Sequence, residues 1–171
     1  MLPRSVVRGR KNPSYLMLPA RLRKARSAAG LDLKQLSLAA GLSHNTAFSI
    51  ESGARVPSVV TVAAIAKVLA VSSSWLAFGE TQTPPASAPE MLGDRLKQRR
   101  EALGLSYRAV SRAAGMSDMT VRATEQDHTS PTLETAERIA KALGVSPGWL
   151  AFGSEPASNA QTISSPSSLD R

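Results

Sequence analysis

The chain contains no cysteine, only two histidines (His44 and His128) and few aromatics, 4% of its residues. Each shortage excludes something. Without thiols there can be no disulfide framework, no thiolate metal site and no cysteine nucleophile. With two histidines a metal centre would have to rest on carboxylates, and no cofactor is expected. With so few aromatics, packing falls to Ala, Leu and Val, which suits close helix contacts better than a sheet. Long apolar runs are missing too. The most apolar window, Val59 to Val71, is broken by Thr61 and Lys67 and is too short to cross a bilayer. The basic N-terminus lacks the continuous apolar stretch of a signal peptide. A soluble protein without a membrane role, in the cytoplasm, is the expectation. What the 171 residues do have is a 42% hydrophobic share and a net charge of +8, from 21 basic and 13 acidic side chains. Such an excess attracts polyanions and does not by itself dictate a fold.

The chain contains itself twice. A shift of 74 residues lays Arg21–Glu80 over Arg95–Ser154 without a gap. The two copies close alike, on AVSSSWLAFG and GVSPGWLAFG. Roughly four in ten aligned pairs are identical, so the match reflects a structural unit used twice, each copy expected to carry its own small core. Outside the copies lie a basic arm at 1–17, a linker at 80–90 (ETQTPPASAPE) and a Ser- and Pro-rich tail at 154–171, expected to be disordered. The domains are then 18–79 and 91–153. Positive charge is concentrated toward the N-terminus: the arm carries Arg4, Arg8, Arg10 and Lys11 with no acid.

Each copy reads as five short helices separated by cap signals. The first runs from about Leu18 to Ala29 and stops at Gly30. Asp32 with Gln35 forms a capping-box pattern for the second. Gly41 ends that helix, Ser43 opens the third, Ser58 precedes the fourth, and Ser72 caps a short fifth containing Trp75. Ser106, Ser117, Thr132 and Ser146 hold the matching cap positions, with Pro147 at the favoured first helical position. Apolar residues at Leu33, Leu36, Ala40, Leu42, Ala47 and Ile50 flank a small Ser37 and Gly41. Two short helices crossing steeply need a small side chain where they touch and a positive-φ residue at the bend. Val110, Ser111, Ala114, Gly115, Met116, Val121 and Thr124 repeat the arrangement.

Both copies resemble XRE-type domains of the lambda-repressor/Cro-like helix-turn-helix family. They share the basic first helix, the G-L before helix two, the A-A-G turn, and the A-K-x-L-x-V-S-x-x-W-L close, with I-E-x-G ending helix three of the first copy. The resemblance implies an all-α chain of two tandem five-helix domains joined by a short Pro/Ser-rich linker. It implies a third helix entering the major groove of double-stranded DNA and a second lying across the phosphates. The base-contact candidates it implies are Ser43, His44, Asn45, Phe48 and Ser49, with Ser117, Asp118, Met119 and Arg122 in the second copy. Asn is a bidentate partner for adenine, and Phe48 could meet a thymine methyl. The phosphate-contact candidates are Lys34, Arg55 and Arg108, with Arg8, Arg10 and Lys11 of the arm. Arg26 with Glu51, and Arg100 with Glu125, are implied to be internal ion pairs, and Trp75 and Trp149 to close the cores.

The copies also depart from the family pattern. Its usual Gln at the start of helix two is Leu33 here and Tyr107 in the second copy, removing a common polar contact to phosphate and base. Asp118 puts a carboxylate beside the phosphates, and Gly53 and Arg55 become Asp127 and Thr129. The second domain is therefore expected to be the poorer DNA binder. Three readings stand: a covalent pseudo-dimer on unlike half-sites, a DNA-binding first domain with a second that self-associates or binds another regulator, or an antiactivator or antirepressor whose two domains bind protein. An enzyme is not expected, since no phosphate loop, nucleophile-base pair or metal-ligand spacing is present.

Overall fold

The computed structural model describes residues 13–80, 82–83, 91–153 and 155–156. The first domain is built from α1 (Leu18–Ala28), α2 (Leu33–Ala39), α3 (Thr46–Glu51), α4 (Val59–Val68) and α5 (Ser73–Phe78). The second repeats it as α6 (Leu92–Ala102), α7 (Tyr107–Ala114), α8 (Asp118–Glu125), α9 (Leu133–Leu143) and α10 (Pro147–Phe152). The cap signals act as their chemistry requires. Asp32 and Gln35 close a reciprocal capping box, with Gln35 N donating to Asp32 Oδ1 at 2.7 Å and Asp32 N to Gln35 Oε1 at 2.9 Å. Ser58, Ser72, Ser106, Ser117, Thr132 and Ser146 each accept from the backbone N–H three residues on.

Two boundaries differ from expectation. Helix α3 starts at Thr46, not at Ser43; the Ser43 hydroxyl bonds Thr46 Oγ1 at 2.9 Å, and the cap residue Asn45 makes no side-chain cap. His44 and Asn45 are weak helix formers, whereas Asp118 in the equivalent first turn of α8 complements the helix dipole. Residues 14–17, placed by sequence in the arm, form a 3-10 turn running into α1. Its Ser14 and Tyr15 N–H groups donate to the Glu137 carboxylate at 2.8 and 3.3 Å.

Leu22, Leu36, Ile50, Ile65 and Leu76 are fully buried in the first domain, as are Leu96, Val110, Ile139, Leu143 and Leu150 in the second. Trp75 and Trp149 are only half-buried and pack at the margin of these cores. An unanticipated pair locks each domain shut. Arg21 Nε donates to Leu76 O at 2.8 Å, and Arg95, 3% exposed, donates to Leu150 O and Ala151 O at 2.9 and 3.0 Å. Each guanidinium thus reaches carbonyls of the last helix that no intrahelical N–H can satisfy. Burial lowers the pKa of both arginines from the ordinary value.

The second domain keeps a core cluster of its own around Leu96, Val110, Val121, Ile139, Ala140, Leu143 and Leu150, but part of its apolar interior is shared. Leu92, Leu133, Ala136 and Ala151 of the second domain belong to one apolar cluster with the first domain's core. The junction joins like to like. Val59 N donates to Pro131 O at 2.9 Å, and Leu133 N donates to Pro57 O at 3.0 Å. Ser58 bridges Thr132, the Phe78 and Phe152 rings lie 6.2 Å apart, and Gln82 pairs with Pro156 in a two-residue antiparallel ladder, β1 (Gln82–Thr83) with β2 (Glu155–Pro156). In the last three of these pairs the partners are equivalent positions of the two copies, and the two hydrogen bonds are reciprocal, Val59 and Pro57 being the equivalents of Leu133 and Pro131. Contacts of residue i with its own equivalent define a two-fold relation between the domains. Glu80 breaks the symmetry, its carboxylate accepting from Ser146 Oγ at 2.8 Å and Gly148 N at 3.1 Å.

Candidate nucleic-acid interface

The α2–turn–α3 unit is held at its crossing by one small side chain. Ser37 is fully buried; its hydroxyl donates to Leu33 O at 2.8 Å and accepts from Ala47 N at 3.0 Å. Any larger residue would push the helices apart. The bend at Gly41 has φ 70°, and Gly115 repeats it at φ 63° before α8. The buried Ser111 hydroxyl donates to Tyr107 O at 2.7 Å.

Behind these units lie the anticipated ion pairs. Arg26 Nε donates to Glu51 Oε1 at 2.6 Å and its Nη1 to Leu31 O at 2.8 Å. Arg100 grips Glu125 with two bonds of 2.8 Å and reaches Leu105 O at 3.1 Å. Each arginine therefore ties helix one to the end of helix three and to the loop before helix two. The bond to the carboxylate raises both arginine pKa values. At Glu125 burial pushes the pKa up, but the bonds from Arg100 and Tyr107 outweigh it and hold the carboxyl below its ordinary value.

The outer face carries the sequence-predicted residues. In the first domain Ser43, His44, Asn45 and Phe48 are exposed and Ser49 is half-buried, its hydroxyl donating to Asn45 O at 3.0 Å. Lys34 and Arg55 are exposed as well. Arg55 lines a cavity of about 290 Å³ with Ser43, Thr46 and Thr61, a concave polar spot beside the start of α3. In the second domain Ser117, Asp118, Met119 and Arg122 are exposed, Met119 the most at 76%. Arg108 does not stand alone: its Nε lies 3.8 Å from Asp118 Oδ2, both side chains being solvated. Arg8, Arg10 and Lys11 lie outside the described residues.

Two departures from the repeat have internal explanations that sequence reasoning missed. Asp127 Oδ1 accepts from the Gly93 N–H at 3.1 Å, so this carboxylate caps α6. The equivalent of Gly93 is Pro19, which has no N–H to satisfy, and the equivalent of Asp127 is Gly53. Tyr107, in place of the family's Gln, donates its hydroxyl to Glu125 Oε1 at 2.9 Å and lies under two guanidinium groups, Arg100 at 4.4 Å and Arg122 at 5.3 Å from the ring centre. The bond to Glu125, and then burial, raise its pKa.

Two small-residue crossings, each presenting a short exposed helix, define a tandem helix-turn-helix protein. The Helix-turn-helix family model matches residues 22–76 and again 96–150, two windows that are themselves 74 residues apart. The chain belongs to this family, in its XRE/lambda-repressor-like branch. It is accordingly a DNA-binding regulator of that type, in a family of regulatory rather than enzymatic domains. No curated protein and no solved structure matches the chain. Among the described residues no helix is long and apolar enough to cross a membrane.

Proposed function

We propose that the chain is a sequence-specific transcriptional regulator, acting as a repressor, in which one polypeptide supplies both halves of a two-fold DNA-binding unit. The observation that carries this reading is the two-fold junction: Ser58 on Thr132 and Phe78 on Phe152, with the reciprocal bonds of Val59 to Pro131 and Leu133 to Pro57. A two-fold relation between α3 and α8 suits two half-sites of opposite orientation. Because the exposed residues of α3 and α8 differ at all but one or two positions, the half-sites differ in sequence. The first domain is the stronger reader. Asn45 offers bidentate bonding to adenine, and Arg55, Ser43 and Thr46 surround a spot that fits a phosphate, whereas Asp118 opposes one and draws on Arg108.

Selection of bound duplexes from a random library with the full chain tests this. An asymmetric inverted pair of half-sites, with a steep salt dependence, supports it. A single half-site would leave the second domain to protein partners. The exposure of Phe48 and Met119, 57% and 76%, favours one other reading, an antiactivator or antirepressor that binds a regulatory protein through these faces. That reading predicts no recovered motif at all.

A further inference from the structure

The Leu33/Phe48 pair of the first domain is exchanged, as a unit, for Tyr107/Arg122 in the second. Tyr107 is the first residue of α7 and Arg122 lies in the middle of α8, so the exchange spans the two helices of the motif. The ring is fixed from below by its hydroxyl bond to Glu125, which Arg100 in turn grips. The Arg122 guanidinium lies over that ring, exposed, and among the described residues no carboxylate is within ion-pair distance of it. Arg108, the neighbouring cation on the same end of α7, is by contrast drawn to Asp118.

The geometry points to Arg122, supported on Tyr107, as a phosphate contact of the second domain. The inference rests on the proposal that this domain engages DNA. A guanidinium held over a ring by cation–π attraction can still offer N–H groups to an oxygen acceptor while losing little rotamer freedom on binding. Its place is the start of α7, the helix that crosses the DNA backbone, and not the first turn of α8, where Asp118 and Met119 project. Phosphate oxygens are therefore its partners and base edges are not. Tyr107 is a positioning residue, restoring through Arg122 a contact that its own side chain no longer makes. The two domains then hold the backbone by different means, Arg55 beside a polar cavity in one and an arginine held over a tyrosine ring in the other.

The test is the salt dependence of binding by the full chain to its selected duplex. Arg122→Ala should reduce the slope of log affinity against log salt by about one, uniformly across base substitutions in the site. Arg122→Lys should keep the slope and weaken binding. Tyr107→Leu should weaken binding while amide-exchange protection in α6 and α8 shows the domain still folded, and Tyr107→Phe, which keeps the ring but not its bond to Glu125, should restore most of the lost affinity. An unchanged slope in Arg122→Ala, or a loss of base preference confined to one position, would overturn the assignment. Scrambling the second half-site separates this from failure of the underlying reading: if wild-type affinity does not fall, the second domain does not engage DNA at all.

Discussion

Replacing Gly93 by alanine sets two effects of opposite sign against each other. Gly93 is the second residue of α6, and intrinsic helix preference alone would favour alanine by up to about 1 kcal/mol. The added Cβ, however, would lie 2.3 Å from the Glu125 carbonyl oxygen and 2.6 Å from Asp127 Oδ2. The nearer obstacle is backbone, at the end of the helix whose side chain anchors Arg100, and cannot rotate away. Overpacking of this kind costs about 1–3 kcal/mol, and drawing α6 back also loosens the Asp127 cap, worth about 1 kcal/mol. The clash wins. Gly93→Ala should lose about 2 kcal/mol, read as a lower urea midpoint by circular dichroism and a melting temperature lower by about 4–8 °C. Adding Asp127→Gly should rescue little, because it removes the farther contact and the cap while leaving the carbonyl. Asp127→Asn should be nearly neutral, since its side-chain oxygen can still accept from Gly93 and Asn tolerates the φ of 51° at this position. A Gly93→Ala variant as stable as the parent would mean that α6 is not seated on the end of α8, and the account of Asp127 would fall with it.

Three further outcomes follow from single positions. Ala70 sits at φ 52° where the second copy has Gly144, so Ala70→Gly should stabilise by about 0.5–1 kcal/mol despite the usual entropic penalty of glycine, measured by urea unfolding. Glu125 is held below its ordinary pKa in the folded state, so its contribution is present above the unfolded value and is lost as pH falls through the folded one. Stability should therefore fall from about pH 4 downward, less steeply in Glu125→Gln, as pH-dependent melting would register. Asn45→Ala should weaken binding to the selected duplex by about 1–3 kcal/mol and relax preference at one base of the first half-site without changing the salt slope; a changed slope would make Asn45 a backbone contact instead.

Most of the fold was legible because its signals are local. A capping hydroxyl three residues before its acceptor, a glycine at a bend or a small residue at a helix crossing can each be read within a short window, and the repeat let every one be read twice. Asp32–Gln35, Ser37 and Gly41 all occupy the places their chemistry demands. What escaped was long-range. Arg21 and Arg95 lie 55 residues from Leu76 and Leu150, the carbonyls they satisfy, and nothing near either arginine in sequence distinguishes it from the surface cations beside it. The one available signal was their identity as the opening pair of the aligned copies. The late start of α3 was missed for a different reason: Ser43 and Ser117 are the same residue in the same slot, and the difference arises from the two residues that follow.

The departures between the copies carry the most information once they are taken in pairs. Singly, Gly53 becoming Asp127 reads as lost electrostatic attraction for DNA, and the Gln-to-Tyr change at position 107 as a lost polar contact. With its partner on the page, each becomes a compensated exchange. Pro19 with Gly53 leaves neither an unsatisfied N–H nor a need for a cap; Gly93 with Asp127 creates the donor and supplies the acceptor, at 3.1 Å. Leu33 with Phe48 places two apolar groups at one end of the motif; Tyr107 with Arg122 places a ring and a cation there. A solvated guanidinium held over a ring beside the helix that crosses the backbone suits the proposed DNA contact of the second domain. On the proposed reading, the second copy is a reader rebuilt around a different charge pattern and not a degraded duplicate of the first. A single chain gains from that difference what a symmetric dimer cannot have, since only unlike halves can impose one orientation on an operator.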